Sequence, residues 1–124
     1  MSGGALHPGL ALFEAGEAAP TLPVCDHYSG VEVRMRKSLE LQRELGPVFD
    51  VTLDCEDGAA VGGELEHAHL VAELVMSADN RHGRVGVRVH PVDHPAFARE
   101  VETLVARAGS RLAYLGVFSL ALLV

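Results

Sequence analysis

Lysine is nearly missing from the 124-residue chain: it occurs once, at Lys37, against nine arginines. Tryptophan is absent, and aromatic residues make up only 5% of the sequence. With 17 acidic and 10 basic residues the formal charge is −7, which leaves no basic face to neutralise a phosphate backbone and argues against a nucleic-acid partner. An anionic ligand then needs a local cation, and here that cation is nearly always an arginine, whose planar fork fits carboxylates and phosphates. Cysteine is scarce as well. Cys25 and Cys55 stand without CxxC spacing, the pattern of two reduced thiols in the cytoplasm. Cys55 is flanked by acids that raise a thiol's pKa, which makes it a poor nucleophile.

Long apolar runs are missing too. Residues 1–20 have neither the basic n-region nor the apolar h-region of a signal peptide; rich in Gly, Ala and Pro, they are expected to form a flexible lead-in. The stretch LAYLGVFSLALLV, 112–124, is apolar over 13 residues, short of the ~20 that a membrane-spanning helix requires, so no membrane partner is expected. GxGxxG, P-loop and GxSxG motifs do not occur, which removes the commonest nucleotide-binding and serine-hydrolase signatures.

What is present is period. Hydrophobic residues make up 48% of the chain, enough for the core of one domain. A short first strand is expected to end near Cys25. Val31, Met35, Leu39 and Gln42 lie on one helical stripe that stops at Gly46-Pro47. VFDVTLD is apolar on both sides of the pleat, which predicts a central parallel strand covered on both faces. Leu65, Ala68, Ala72 and Val75 recur at helical spacing, Val85, Val87 and Val89 alternate as a third strand, and Phe97, Val101, Leu104 and Val105 follow Pro95 as a helix that stops at Gly109. A fourth strand begins in RLAYLGVFSLALLV. Strand and helix in alternation predict an α/β fold with a parallel sheet.

Functional groups of such folds collect at the carboxyl ends of the strands. Asp54, Glu56 and Asp57, in DCEDGA, occupy one such end and are the candidate catalytic acids. Arg88, a long cation among valines in VRVHP, needs an anion, and the acids of the neighbouring strand are the candidates. Arg88, His90 and Tyr28 are the candidate substrate contacts. The competing reading is that Glu56 and Asp57 merely cap the next helix while Arg88 points to solvent. His27 and Tyr28 share the open face or shape a turn. His67 and His69, two apart on a helix, cannot chelate one metal together and read as solvated. His90 and His94, with Asp93 between them, are spaced to meet a metal.

DCEDGA after the FDVTL strand, VRVHP about 30 residues later, and RLAYL after a helix together resemble the HpcH/HpaI aldolase and citrate lyase superfamily. In that family the corresponding motifs are a strand-end Asp-Leu-Glu-Asp-Gly and a third-strand vRvN. The resemblance covers residues 21–115. It implies a TIM barrel and a lyase that cleaves a carbon–carbon bond in a CoA thioester or 2-oxo acid with Mg²⁺. Arg88 would bind the substrate's carboxylate or oxo-acid part, with Glu56 and Asp57 holding that arginine. His90 replaces the family's asparagine, and ELEHAHL lacks the basic residues usual after the acidic signature.

A (β/α)₈ barrel has typically ~250 residues, about twice this length. The expectation is therefore half a barrel, truncated after the fourth strand, with 116–124 as an apolar tail that departs from the family and the Mg²⁺ ligands on later strands. Such a piece is expected to be inactive alone, and to form homo-oligomers or associate through open sheet edges. Two alternatives are a receiver-like phosphoacceptor domain and a non-catalytic, self-associating remnant.

Overall fold

The computed structural model describes residues 26–117, with side chains from Ser29 onward. The lead-in 1–20, Cys25 and residues 118–124 lie outside the described residues. Four parallel strands pair in chain order, β1 (Asp26–Ser29), β2 (Asp50–Asp54), β3 (Val85–Val89) and β4 (Leu115–Val117). Between them run the helices α1 (Glu32–Leu45), α2 (Glu64–Met76) and α3 (Phe97–Ala108). β1 runs on to Ser29, past the end expected near Cys25: its residues pair with Asp50–Leu53, and Gly30 is the first residue outside the ladder.

Each helix buries the stripe that its spacing presents. α1 buries Met35, Ser38, Leu39 and Gln42, and Gly46, at φ 86, turns the chain out while its N–H bonds to the Gln42 carbonyl at 2.9 Å, the usual use of glycine behind a helix. The Gln42 amide donates to the carbonyls of Phe49 and Arg84 at 2.8 and 3.1 Å, tying α1 to the start of β2 and β3. α2 buries Ala68, Val71, Ala72, Leu74 and Val75. Past its end the buried Asn80 donates to Val75 O at 2.8 Å and to Arg111 O at 3.3 Å, holding the approach to β4.

Among the described residues, all three helices pack on one face of the sheet. Val51, Leu53, Val85, Val87 and Val89 meet residues from all three helices in a single core cluster, as sequential parallel strands with like-handed crossovers require. The other face is closed as well, with Thr52 1% and Asp54 4% exposed, so β2 is covered on both faces as expected, by helices on one side and by side chains on the other. Alternate residues of β2 and β3, namely Thr52, Asp54, Gly86 and Arg88, lie on the other face. There Gly86 is buried beneath the ring of Tyr114, whose side chain would collide with any Cβ at that position, and the Tyr114 hydroxyl hydrogen-bonds Thr52 Oγ1.

Strand order also bears on the receiver alternative. A flavodoxin-like sheet has the order 2-1-3-4-5, with β1 inside between β2 and β3; here β2 separates them, and that alternative has no support. β4 pairs through Val117, with Gly116 and Val117 opposite Arg88 and Val89, so the sheet continues two residues into the stretch set apart as a tail.

Candidate active site

β2 and β3 are in a register that puts Asp54 opposite Arg88. Asp54 is the last residue of its strand, so its carboxylate serves two tasks at once. It accepts the N–H groups of Glu56 at 2.9 Å and Asp57 at 3.3 Å, the Asx-type turn that folds the loop behind the strand. It also receives Arg88 in a fork: Nε donates to Oδ1 at 3.0 Å and Nη2 to Oδ2. The Asp54 side chain is 6% exposed and that of Arg88 18%. Stripped of its partner, a carboxylate this buried costs about 3–5 kcal/mol.

The turn brings the other two acids to the same guanidinium. Asp57 accepts from Nη2, and Glu56 Oε2 lies 3.8 Å from Nη1, an ionic approach too long for a hydrogen bond. The Asp57 side chain is 75% exposed and is therefore the exchangeable partner, whereas Asp54 is fixed. Hydrogen bonding to Asp54, more than the charge of Asp57, holds the Arg88 pKa above the ordinary arginine range, against the opposing effect of burial. The reading in which Arg88 points to solvent and the acids only cap a helix is thus replaced by a three-carboxylate cradle. It opens on a cleft of about 570 Å³ lined by residues that include Ser29, Arg34, Asp54, Asp57 and Arg88.

Two side groups hold the loop that the sequence reading left out. His67, expected to be solvated, is half-buried and its Nε2 meets Asp54 O at 3.0 Å. Gly58 sits so close to Gly30, to Asp54 O and to His67 Nε2 that a Cβ there would lie 2.6 Å from each of the last two atoms. The loops behind β1 and β2 thus pack backbone against backbone at Gly30 and Gly58, with the His67 side chain as the wedge. The signal was available: EHAH begins a helix directly after the acidic loop, and the N-terminal turn of such a helix faces the strand end it follows.

His90 goes elsewhere. Its N–H donates to Glu100 Oε1 at 2.9 Å and its Nδ1 pairs with Glu100 Oε2; Glu100 is fully buried on α3. His90 does not line the cleft of Arg88. His94 stacks on it with ring centroids 4.0 Å apart, and its own Nδ1 accepts the Ala96 N–H at 3.0 Å. Both Nδ1 atoms are therefore engaged by protein groups. Among the described residues no group of three His, Cys, Asp or Glu could hold a metal ion. Tyr28 stands opposite Thr52 in the β1–β2 register, its side chain outside the described ones. Cys55 is fully buried, and burial first, then the charges of Glu100 and Asp54, push its thiol far above the usual range.

A one-sided parallel sheet with helices between sequential strands, and a charged fork at the strands' carboxyl ends, is the class of structure found as part of a (β/α)-barrel enzyme. The chain is similar to the crystal structure of a citrate lyase from Burkholderia xenovorans LB400, with 55% sequence identity and a TM-score of 0.71, over 76% of this chain. It spans 29% of the length of that citrate lyase. This likeness supports the lyase family for the chain and a fold that is part of a citrate lyase-like barrel. No protein-family model matches the sequence, and no curated protein matches it. No described helix is long and apolar enough to cross a membrane.

Proposed function

We propose that the chain carries the arginine side of the active site of a cytoplasmic carbon–carbon lyase acting on a CoA thioester or a 2-oxo acid. The observation that carries this reading is the Arg88 fork: one carboxylate of the cradle is buried and fixed, the other exposed and replaceable. A substrate carboxylate takes the place of Asp57 on Nη2, while Asp54 keeps the guanidinium in plane and aimed at the cleft. Glu56, whose Oε2 lies 3.8 Å from Nη1, adds negative charge that helps to hold the guanidinium in place. A guanidinium so placed stabilises negative charge that develops on an oxygen during retro-aldol or Claisen-type cleavage.

Mg²⁺, when bound, would supply Lewis-acid chemistry, and in this reading its ligands would lie on strands beyond those described. The described residues do not form a magnesium site by themselves, since Asp54, Glu56 and Asp57 are all engaged with Arg88. Turnover then requires further βα units, and β1 and β4, the outer strands of the described sheet, are where they would join. The test is thioester cleavage with Mg²⁺, assayed on this chain beside one extended through eight strands. Activity in the longer chain only, abolished there by Arg88→Ala, is the expected result; equal turnover by both chains would refute it.

A further inference from the structure

We infer that Tyr114 is a positioning residue for the Arg88 fork: it fills the layer beneath the fork and keeps the guanidinium at the mouth of the cleft. Its functional sense rests on the reading of Arg88 as the seat of a substrate carboxylate. On the face of the sheet away from the helices, side chains lie in layers two residues apart along the strands, about 6.6 Å. Asp50 and Arg84 pair in the lower layer, Asp54 and Arg88 in the upper. Between them β2 offers Thr52 and β3 offers Gly86, its partner in register. Gly86 has no side chain, so β3 itself puts nothing between Arg84 and Arg88. At the level of Arg88, β4 brings Gly116, again without a side chain, and the guanidinium has to be confined from below.

Tyr114 closes that layer from the segment that leads into β4. Its carbonyl accepts the Val87 N–H at 3.1 Å, which anchors it beside β3. Its ring lies over Gly86, where a Cβ would collide with it, and its hydroxyl crosses to hydrogen-bond Thr52 Oγ1 on β2. One side chain thus reaches from the start of β4 across β3 to β2. An arginine, with many rotamers open to it, can fold back over a bare glycine two residues below, where Thr52 and Asp50 would offer it oxygens. The ring takes that space and leaves the guanidinium only the mouth, where Asp54 receives it. The same ring separates the two Asp–Arg pairs, so that they do not exchange partners.

The test follows the guanidinium itself. In the full ¹⁵N-labelled chain, solvent exchange of the Arg88 Nε–H is measured in Tyr114→Phe, which removes the hydroxyl, and in Gly86→Ala, which displaces the ring from β3. Val101→Ala, a truncation on α3 against the core of the opposite face, reports general loosening. Exchange should quicken about threefold in Tyr114→Phe and about tenfold in Gly86→Ala, and stay within about twofold of the parent chain in Val101→Ala. Tyr114→Phe, which differs by one oxygen, decides alone should Gly86→Ala fail to fold. Exchange that stays at the parent rate in Tyr114→Phe, or rises no more than in Val101→Ala, would overturn the inference. Oxalate added to the same samples separates it from the lyase reading: an absence of binding by the parent chain counts against the carboxylate seat, while the positioning of Arg88 is judged by exchange alone.

Discussion

β2 and β3 are joined twice by the same two residue types. At one end Arg84 Nε meets Asp50 Oδ1 at 2.8 Å, and four residues on, at the other end, Arg88 grips Asp54. Spacing and chemistry are the same, and in both arginines the hydrogen bond to the aspartate is the first cause of a raised pKa. The surroundings differ. The Asp50 and Arg84 side chains are 29% and 34% exposed and share one bond, beside backbone that α1 ties down through Gln42. Asp54 and Arg88 are 6% and 18% exposed, share two bonds, and face two more carboxylates and a cleft. An Asp–Arg pair across parallel strands is a clamp by default, and only the loop that follows converts one of the two into a site.

The comparison breaks most visibly when the aspartates are removed. Asp54→Ala should destabilise the fold by about 3 kcal/mol, because Arg88 and two loop N–H groups lose their acceptor, whereas Asp50→Ala should cost about 1 kcal/mol or less for a half-exposed pair. Urea denaturation of the two variants measures both. α3 offers the same contrast within one helix. Glu100→Ala should cost about 2 kcal/mol by leaving the His90 N–H unpartnered, and Glu102→Ala, at an exposed position, should stay within about 0.5 kcal/mol; thermal melts suffice to separate them.

Two smaller effects sharpen the picture of the loop itself. Gly58→Ala should cost about 1–3 kcal/mol, since the added methyl has the backbone oxygens of Gly30 and Asp54 against it as well as the His67 ring, while Gly63→Ala, whose Cβ would have its nearest neighbour 3.4 Å away, should cost no more than the ordinary surface change of about 0.5 kcal/mol. Cys55 gives a pH signature of known sign. Its thiol is raised in the folded state, so the neutral form stabilises the fold fully below the ordinary thiol pKa, and that contribution is lost as pH rises beyond it. Stability should fall above about pH 9, by up to about 1.4 kcal/mol per pH unit, and Cys55→Ala should flatten the decline.

Much of this arrangement was readable in the residues. The valine alternation of β3 and the Met35–Leu39–Gln42 stripe of α1 follow from period alone, and the acid cluster behind FDVTL together with a lone arginine among valines located the fork. What covers each face of β2 was not readable. VFDVTLD predicts cover on both faces, and Thr52 and Asp54 are buried as Val51 and Leu53 are, but the pattern does not say that helices close one side while Tyr114 and Arg88 pair with Thr52 and Asp54 on the other. Glu100 was hidden for a different reason. It shares a stripe with Leu104 and Ala108, but an acid on an apolar stripe reads as a boundary residue until the histidine that neutralises it is known to come from the preceding strand end.

The central claim is that the Asp54–Arg88 fork receives a carboxylate and the Asp50–Arg84 pair does not. Oxalate, an unreactive dicarboxylate, can be titrated into the ¹⁵N-labelled chain while the guanidinium Nε–H signals of both arginines are followed. A saturable shift at Arg88, strengthened by Asp57→Asn and accompanied by no shift at Arg84, is the predicted result; equal shifts at the two arginines, or none at Arg88, would contradict the account.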